Sequence, residues 1–490
     1  MDPRTPVVVG VGTITQRQDD PLLALDVVDL MAAAARAAAE DAGAPDLARR
    51  AGLILVPRGS WPAVDAGRIV AERLGNTGAR TVLAEIGVLQ TTLIDRAARA
   101  VASGQVDTAL VVGGEARWRQ TRAAAAGVSL PPAPAHPSPP DETLRPEVSI
   151  VAGEEVTAGL TSAPSQYALI ENARRAADHQ PLDEHRRAVA RLWADIGAGV
   201  RHNPEAWHRR PRAEEEIAEP GPDNRMIAFP YNKWHCSQWN VDQAGCLLVC
   251  SVEVARARGV SPDRWVFLHS LAESNHVLPV SCRTELHRSP GFELAGRAAL
   301  NLAGVGIDDV AHLDLYSCFP IAVRIQLSEL SVRPGRPLSV TGGMTFGGGP
   351  LNNYVIQSTA AMARTLRHHP GERGMVTAVS GLLTKQGVTV WSTDPPGQGY
   401  RSLDVSEATG ASAGAVPIVA AASGRAVVAT YTVLTEREGP ATGVVLADLA
   451  GGGRTLATTQ DRDTVADMTE REWCGVEVAL DGQGGFAPAP

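Results

Sequence analysis

Apolar residues fall into short unbroken runs separated by stretches of helical spacing. Pro6–Gly12 (PVVVGVG) is a continuous apolar run, the pattern of a strand buried on both faces. Asp26–Ala42 is alanine-rich with helical spacing and stops at Gly43, a natural C-terminal cap. Leu53–Val56 reads as a second strand, Gln90–Ser103 as a helix ending at Gly104, and Asp107–Ala116 (DTALVVGGEA) as another buried strand. Pro-rich Thr121–Glu142 reads as an exposed loop, and Gln166–Glu216 as an inserted helical segment. Strand and helix then alternate again: Ala244–Ser251, Val266–Ala272, the helix Leu294–Ala303, His312–Tyr316, and the strand pair Met375–Ser380 and Val388–Ser392. Such alternation predicts a layered α/β architecture. VDTALVVGGEA and VAHLDLYSCFP each close a helix–strand unit, which suggests a duplicated βαβαβ core. Beyond Pro395-Pro396 the pattern changes. Ala415–Leu480 carries short β-rich runs between glycine and charged turns, predicting a small appended β-barrel of OB type.

Composition narrows the function classes. The chain of 490 residues is too long for one ordinary domain. A net charge of −9 argues against broad nucleic-acid binding. No apolar run reaches the roughly 18 residues that a membrane span needs, and Met1–Val11 lacks the pattern of a secretory signal. The six cysteines form no CxxC pair, which fits a reducing cytoplasm and gives no thiolate metal centre, so no metal is expected.

Five segments carry a family resemblance: GQVDTALVVGGEA (104–116), LDLYSCFPIAV (313–323), TGGMTFGGGPLNN (341–353), NRMIAFPYNKWHCSQWNVDQAG (224–245) and SGLLTKQGVTVWST (380–393). In order and spacing, the first three resemble the aGGmE, HDCF/NEAF and GGxxxxGHP motifs of thiolases. The last two resemble more specifically the thiolase-like proteins of type 1, a group with an extra C-terminal β domain. The resemblance implies a duplicated βαβαβ thiolase fold in five α/β/α/β/α layers, with a helical loop insertion and a C-terminal OB-like β-barrel. The implied boundaries are 1–260 for the N-terminal half with its insertion at about 121–223, 261–396 for the second half, and 410–485 for the β domain. It implies no resident cofactor, coenzyme A entering as part of the substrate, and a monomer or homodimer.

Thiolase chemistry needs a thiolate at a helix N-terminus, a histidine to activate it, an Asn- or His-held oxyanion site and a second cysteine to move a proton. On this chain the nucleophile position falls at Gly87, the histidine position at Gly349, the Asn/His position at Tyr316 and the second-cysteine position at Ser380. All four groups differ. Losing one member of a cooperating set already costs orders of magnitude, so ordinary thiolysis or Claisen condensation is not expected.

Tyr316 could donate a hydrogen bond to an enolate or move a proton, as in the steroid side-chain aldolases of the superfamily, which use tyrosines and an OB-fold partner. It could equally pack at a strand end, and Tyr354 is a second phenol with the same alternatives. Cys318 would share Tyr316's face of a strand, either lining the pocket or as an inert thiol. His235 beside Cys236 invites a nucleophilic pair, but neighbours on a strand face opposite ways; only a loop would remove that objection. The resemblance assigns Gly87, Gly342, Gly343, Gly348, Gly349, Pro350, Ser380, Asn240 and Phe319 to substrate binding, since glycines let the backbone approach a thioester. Arg174, Arg175, Arg186 and Arg187 could meet CoA phosphates or form a solvated helix face. Met226 and Phe229 could line the pantetheine channel or pack the core. The expected function is a thiolase-like protein acting on or binding acyl-CoA thioesters, through atypical acyl transfer or C–C bond chemistry. The alternatives are a CoA-thioester retro-aldolase using Tyr316 and a non-catalytic acyl-CoA or lipid-binding protein.

Overall fold

The structure is a computed structural model that describes residues 1–436 and 439–490. The first half contains β1 (Pro6–Gln16), α1 (Val27–Asp41), β2 (Leu53–Pro57), α2 (Ala66–Leu74), β3 (Arg80–Ala84), α3 (Gln90–Ala102) and β4 (Thr108–Ala116). It continues through β5 (Glu142–Leu144), α4 (Ala163–Ala177), α5 (Leu182–Gly197) and β6 (Asp242–Ser251). The second half contains β7 (Phe267–Ser274), α6 (Pro290–Ala303), β8 (His312–Asp314), α7 (Pro320–Glu329), α8 (Tyr354–His368), β9 (Arg373–Ser380), β10 (Lys385–Ser392) and β11 (Arg401–Asp404).

The first sheet has the order β1-β6-β4-β2-β3-β5, and the second β8-β9-β10-β7-β11. In both, two parallel strands (β2 and β4; β8 and β9) are followed by an antiparallel one (β6; β10) that pairs onward with the half's first strand (β1; β7). This shared run is the duplication that the sequence suggested. The halves also differ. Among the described residues the second sheet has no counterpart of β3, and β11 extends its other edge.

Side-chain alternation decides which layer each strand residue joins. Val7, Val9, Ile54, Val56, Leu110 and Val112 face α1 on the outside of the first sheet. Val8, Val11, Leu53, Leu55, Ala109 and Val111 face inward, where α3 lies against both sheets. The alanines of α1 allow a close approach to β1. A Cβ at Gly10 would lie 1.9 Å from the Ala38 carbonyl oxygen, so that position admits nothing larger than glycine. The two sheets meet where Val8 N–H donates to Val266 O at 2.9 Å and Val266 N–H to Val8 O at 3.0 Å. Short strand β5 pairs in parallel with β3 through Val82–Glu142 to Ala84–Leu144. That pairing covers a sheet edge that would otherwise be open to another chain.

The third region contains β12 (Ser423–Glu436), β13 (Gly439–Leu449), β14 (Arg454–Thr459), α9 (Arg462–Glu470), β15 (Glu477–Asp481) and β16 (Phe486–Pro488). Its antiparallel sheet runs β14-β13-β12-β15-β16, and Leu434 of β12 also pairs with Ala228 of the first half. Among the described residues its outer strands meet at a single bridge, Thr458–Gly485, rather than along the continuous ladder that a closed barrel needs. The region is an added antiparallel sheet, and among the described residues the closed OB-type barrel expected from the sequence is not formed. Its core packs Tyr431, Trp473 and Phe486 around Met468 of α9. No helix among the described residues is long and apolar enough to cross a membrane.

Candidate active site

A cavity of about 730 Å³ opens where the two halves meet the helical insertion. Gly87, Tyr316, Cys318, Gly349 and Ser380 all line it, as do Cys236 and Phe319. The chain thus brings to one place the four positions to which the resemblance assigns catalytic groups.

Gly87 sits in the turn before α3 with φ of +106°, in the region that favours glycine. A Cβ there would lie 3.0 Å from the Pro146 ring. Its carbonyl oxygen accepts a hydrogen bond from Lys385 Nζ at 2.9 Å. The turn is shaped against the thiol that the family pattern would place in it. Gly349 N–H donates to Gln238 O at 2.8 Å, and a Cβ there would lie 3.3 Å from Met344. Ser380, at the end of β9, lines the cavity, and its carbonyl accepts from Thr384 Oγ1 at 3.0 Å.

Tyr316 follows β8 and is clamped through its backbone. Its N–H donates to Thr377 Oγ1 at 2.8 Å, and its carbonyl accepts from Gln326 Nε2 at 2.9 Å. Thr377 Oγ1 in turn donates to Gln326 Oε1 at 2.5 Å. The ring meets Tyr354 edge-on, with centroids 5.7 Å apart. Burial pushes its phenol well above the ordinary value, so the group stays protonated and serves as a donor. Tyr354 does not share that role: its hydroxyl donates to Asp314 Oδ1 at 2.8 Å, beneath the cavity.

The two cavity thiols are poor nucleophiles. Burial pushes Cys318 up to about 12, and burial together with the neighbouring Cys318 pushes Cys236 to about 12. Thiolate, the reactive form, is scarce at neutral pH in both. The segment around His235 is a 3₁₀ turn, Lys233–His235, so the objection from strand alternation does not apply. Even so, no Cys–His pair forms. His235 Nδ1 accepts the Asn232 N–H at 3.0 Å, while Cys236 Sγ donates to Asn232 O at 3.5 Å. Burial lowers the imidazole to about 4. His235 does not line the cavity.

Other expected residues lie elsewhere. Gly342 and Gly343 pack against α5 and the turn after it, where a Cβ would lie 2.5 Å from Val200 and from Ile196. Gly348 packs against Gln243, Asn240 accepts from Thr121 Oγ1 at 2.8 Å, and Pro350 is buried beside the loop without lining the cavity. Arg174 pairs with Asp178, and buried Arg175 with Glu472 of the third region. Arg186 and Arg187 stay exposed and outside the cavity lining. Phe229 stacks on Tyr431, 5.9 Å away, and Met226 packs on the same third-region core, so Ile227 between them faces the cavity.

Two groups are not among the residues expected from the sequence. Tyr167 of α4 lines the cavity, stacks on Phe319 at 4.4 Å, and donates from its hydroxyl to Gly381 O at 3.1 Å. Gln90, in the first turn of α3, accepts from Val355 N–H at 3.0 Å and donates from Nε2 to Asn352 Oδ1 at 2.9 Å, tying α3 to the loop before α8. The signals were a tyrosine and a glutamine in helical contexts, where packing accounts for them equally well.

Comparison with known proteins places this geometry. Residues 407–484 match the thiolase-like protein type 1 additional C-terminal domain. The chain is similar to a monomeric SCP2-thiolase like protein type 1 (STLP1) from Mycobacterium smegmatis, with TM-score 0.84 and 30 % identity over 100 % of both chains. In fold it resembles the Ltp2-ChsH2(DUF35) aldolase, with TM-score 0.60 and 19 % identity over 80 % of this chain and 98 % of that one. It likewise resembles an acetyl-CoA acetyltransferase from Syntrophomonas wolfei, with TM-score 0.58 and 16 % identity over 80 % and 100 %. No curated protein matches the chain.

Proposed function

Because the chain belongs to the SCP2-thiolase-like proteins of type 1, we propose that its cavity binds an acyl-CoA thioester and makes or breaks a C–C bond beside the carbonyl without forming an acyl-enzyme. One observation carries this reading: the catalytic positions converge on one cavity, yet the nucleophile position is a glycine and both cavity thiols are held protonated. The Tyr316 hydroxyl lines this cavity and has no hydrogen-bond partner among the described residues. A buried, protonated phenol stabilises an enolate by donating to it.

In the retro-aldol direction the substrate is a β-hydroxyacyl-CoA. Its Cα–Cβ bond breaks and the electron pair moves into the thioester. The β-hydroxyl proton passes to the Tyr316 oxygen as Tyr316's own proton passes to Cα. A carbonyl compound and a shortened acyl-CoA leave, and the phenol ends as it began. The aldolase among the structures of similar fold is in keeping with this reading. The third region, of OB-like kind in this reading, acts in cis as a partner domain. The covered β3 edge favours a monomer.

A second reading has an observation of its own. Among the described residues no imidazole and no carboxylate lines the cavity, which suits a non-catalytic acyl-CoA carrier. A panel of β-hydroxyacyl-CoA and acyl-CoA compounds separates the two. Under the first reading, a β-hydroxyacyl-CoA is cleaved and Tyr316→Phe lowers the rate by at least about 100-fold. Unchanged turnover in that variant overturns the tyrosine mechanism. Binding of CoA thioesters without turnover of any favours the carrier.

A further inference from the structure

On the far edge of the second half, away from the cavity, His312, His369 and Glu372 bring two imidazoles and a carboxylate together. We propose that these three residues form a binding site for a divalent transition metal of zinc type. Their ligand atoms all lie within 4.8 Å of one another. His312 Nε2 is 2.6 Å from Glu372 Oε2, and His369 Nδ1 is 3.9 Å from the same oxygen. The two rings are 5.0 Å apart between centroids. In a tetrahedral zinc site with bonds of about 2.0–2.1 Å, ligand atoms stand about 3.3 Å apart. Side-chain shifts of about 1 Å therefore convert the present spacing into a coordination shell. Two imidazoles and one carboxylate leave a fourth position for water.

The backbone holds the three ligands in place. His312 opens β8, in register with Gly374 of β9, and Ala311 N–H donates to Arg373 O at 2.8 Å. His369 caps the C-terminus of α8. Glu372 N–H donates to His369 O at 3.2 Å, and Glu372 O accepts from Ser392 Oγ at 2.9 Å. Arg373 is the neighbouring cation, with Nη1 donating to Gly371 O. On binding, the metal replaces the contact between His312 Nε2 and Glu372 Oε2, with neutral imidazole as the ligand. The ion ties the end of α8 to the starts of β8 and β9. Absence of CxxC pairs bears only on thiolate sites; this one is built from imidazoles.

The test uses the full chain, freed of metal by a chelator and titrated with Zn²⁺, and with Co²⁺ as a spectroscopic substitute. One equivalent binds, Co²⁺ shows the visible absorption of tetrahedral coordination, and Zn²⁺ raises the unfolding temperature by mass action. His369→Ala and Glu372→Gln, both at exposed positions and checked for folding by circular dichroism, each weaken binding at least about tenfold. No binding by the wild type, or binding that survives unchanged in both variants, overturns the assignment.

Discussion

One stripe of α4 joins two buried regions of opposite character. Tyr167, Glu171 and Arg175 are spaced four residues apart and follow one another along the same helix face. At one end, Tyr167 looks into the cavity, where the Tyr316 hydroxyl is unpaired among the described residues. Further along, every charge is matched. Buried Glu171 accepts from Tyr231 Oη at 2.8 Å and from His185 Nε2 at 3.0 Å, and also pairs with Arg324. Arg175 Nη2 donates to Glu472 Oε1 at 2.9 Å and to Tyr431 Oη at 3.3 Å. Burial alone would raise Glu171, but Arg324, His185 and Tyr231 outweigh it and hold the carboxyl near about 2. The two ends of this helix face differ by pairing: Arg175 and Glu472 fasten the insertion to the third region, whereas the Tyr316 phenol in the cavity is left for a ligand.

Breaking the paired region gives the largest effect. Glu171→Ala leaves buried His185 and Tyr231 without their carboxylate, while half-buried Arg324 keeps Asp178; the cost, read by urea unfolding, is about 3–5 kcal/mol. A cost below about 1 kcal/mol would mean that this buried cluster does not hold the insertion to α7 of the second half.

Gly87→Ala sharpens the cavity side. A side chain at φ of +106°, 3.0 Å from Pro146, costs about 1–3 kcal/mol. The same unfolding measurement checks it, and a neutral result would mean that the turn readily accommodates a family-like residue.

A second buried carboxyl gives the opposite sign of pH dependence. Glu273 receives hydrogen bonds from Thr91 and Thr92 of α3, yet burial dominates and raises it to about 7. Because the folded chain holds this proton more tightly than the unfolded one, its contribution to stability falls as pH rises from about 4.5 to 7. Glu171 has its folded value depressed, so its contribution is present above about 4.5 and lost as pH falls towards 2. Glu273→Gln should gain stability relative to the wild type as pH rises from 4.5 to 7 and hold that gain above. A difference independent of pH would contradict the assignment.

Much of the core was legible because strands buried on both faces are unbroken apolar runs: β1, β2, β4 and β6 stand where those runs lie. β5 was not, because three residues that cover an edge carry no periodicity. Convergence of Gly87, Tyr316, Gly349 and Ser380 followed from motif order, since loops at the ends of corresponding strands meet. Tyr167 escaped notice because its partner Phe319 is far away in sequence and only tertiary packing pairs them. Gly342 and Gly343 illustrate the converse. A glycine-rich loop serves close approach of any kind, and here what approaches is Val200 and Ile196 rather than a thioester.

By the chemistry proposed above, this cavity handles CoA thioesters without a covalent intermediate. Intact-protein mass spectrometry, with the wild type under turnover of a β-hydroxyacyl-CoA, tests it most directly. The account predicts cleavage products with the protein mass unchanged throughout. An acyl increment that maps to Cys236 or Cys318 and appears and decays at the turnover rate would contradict it.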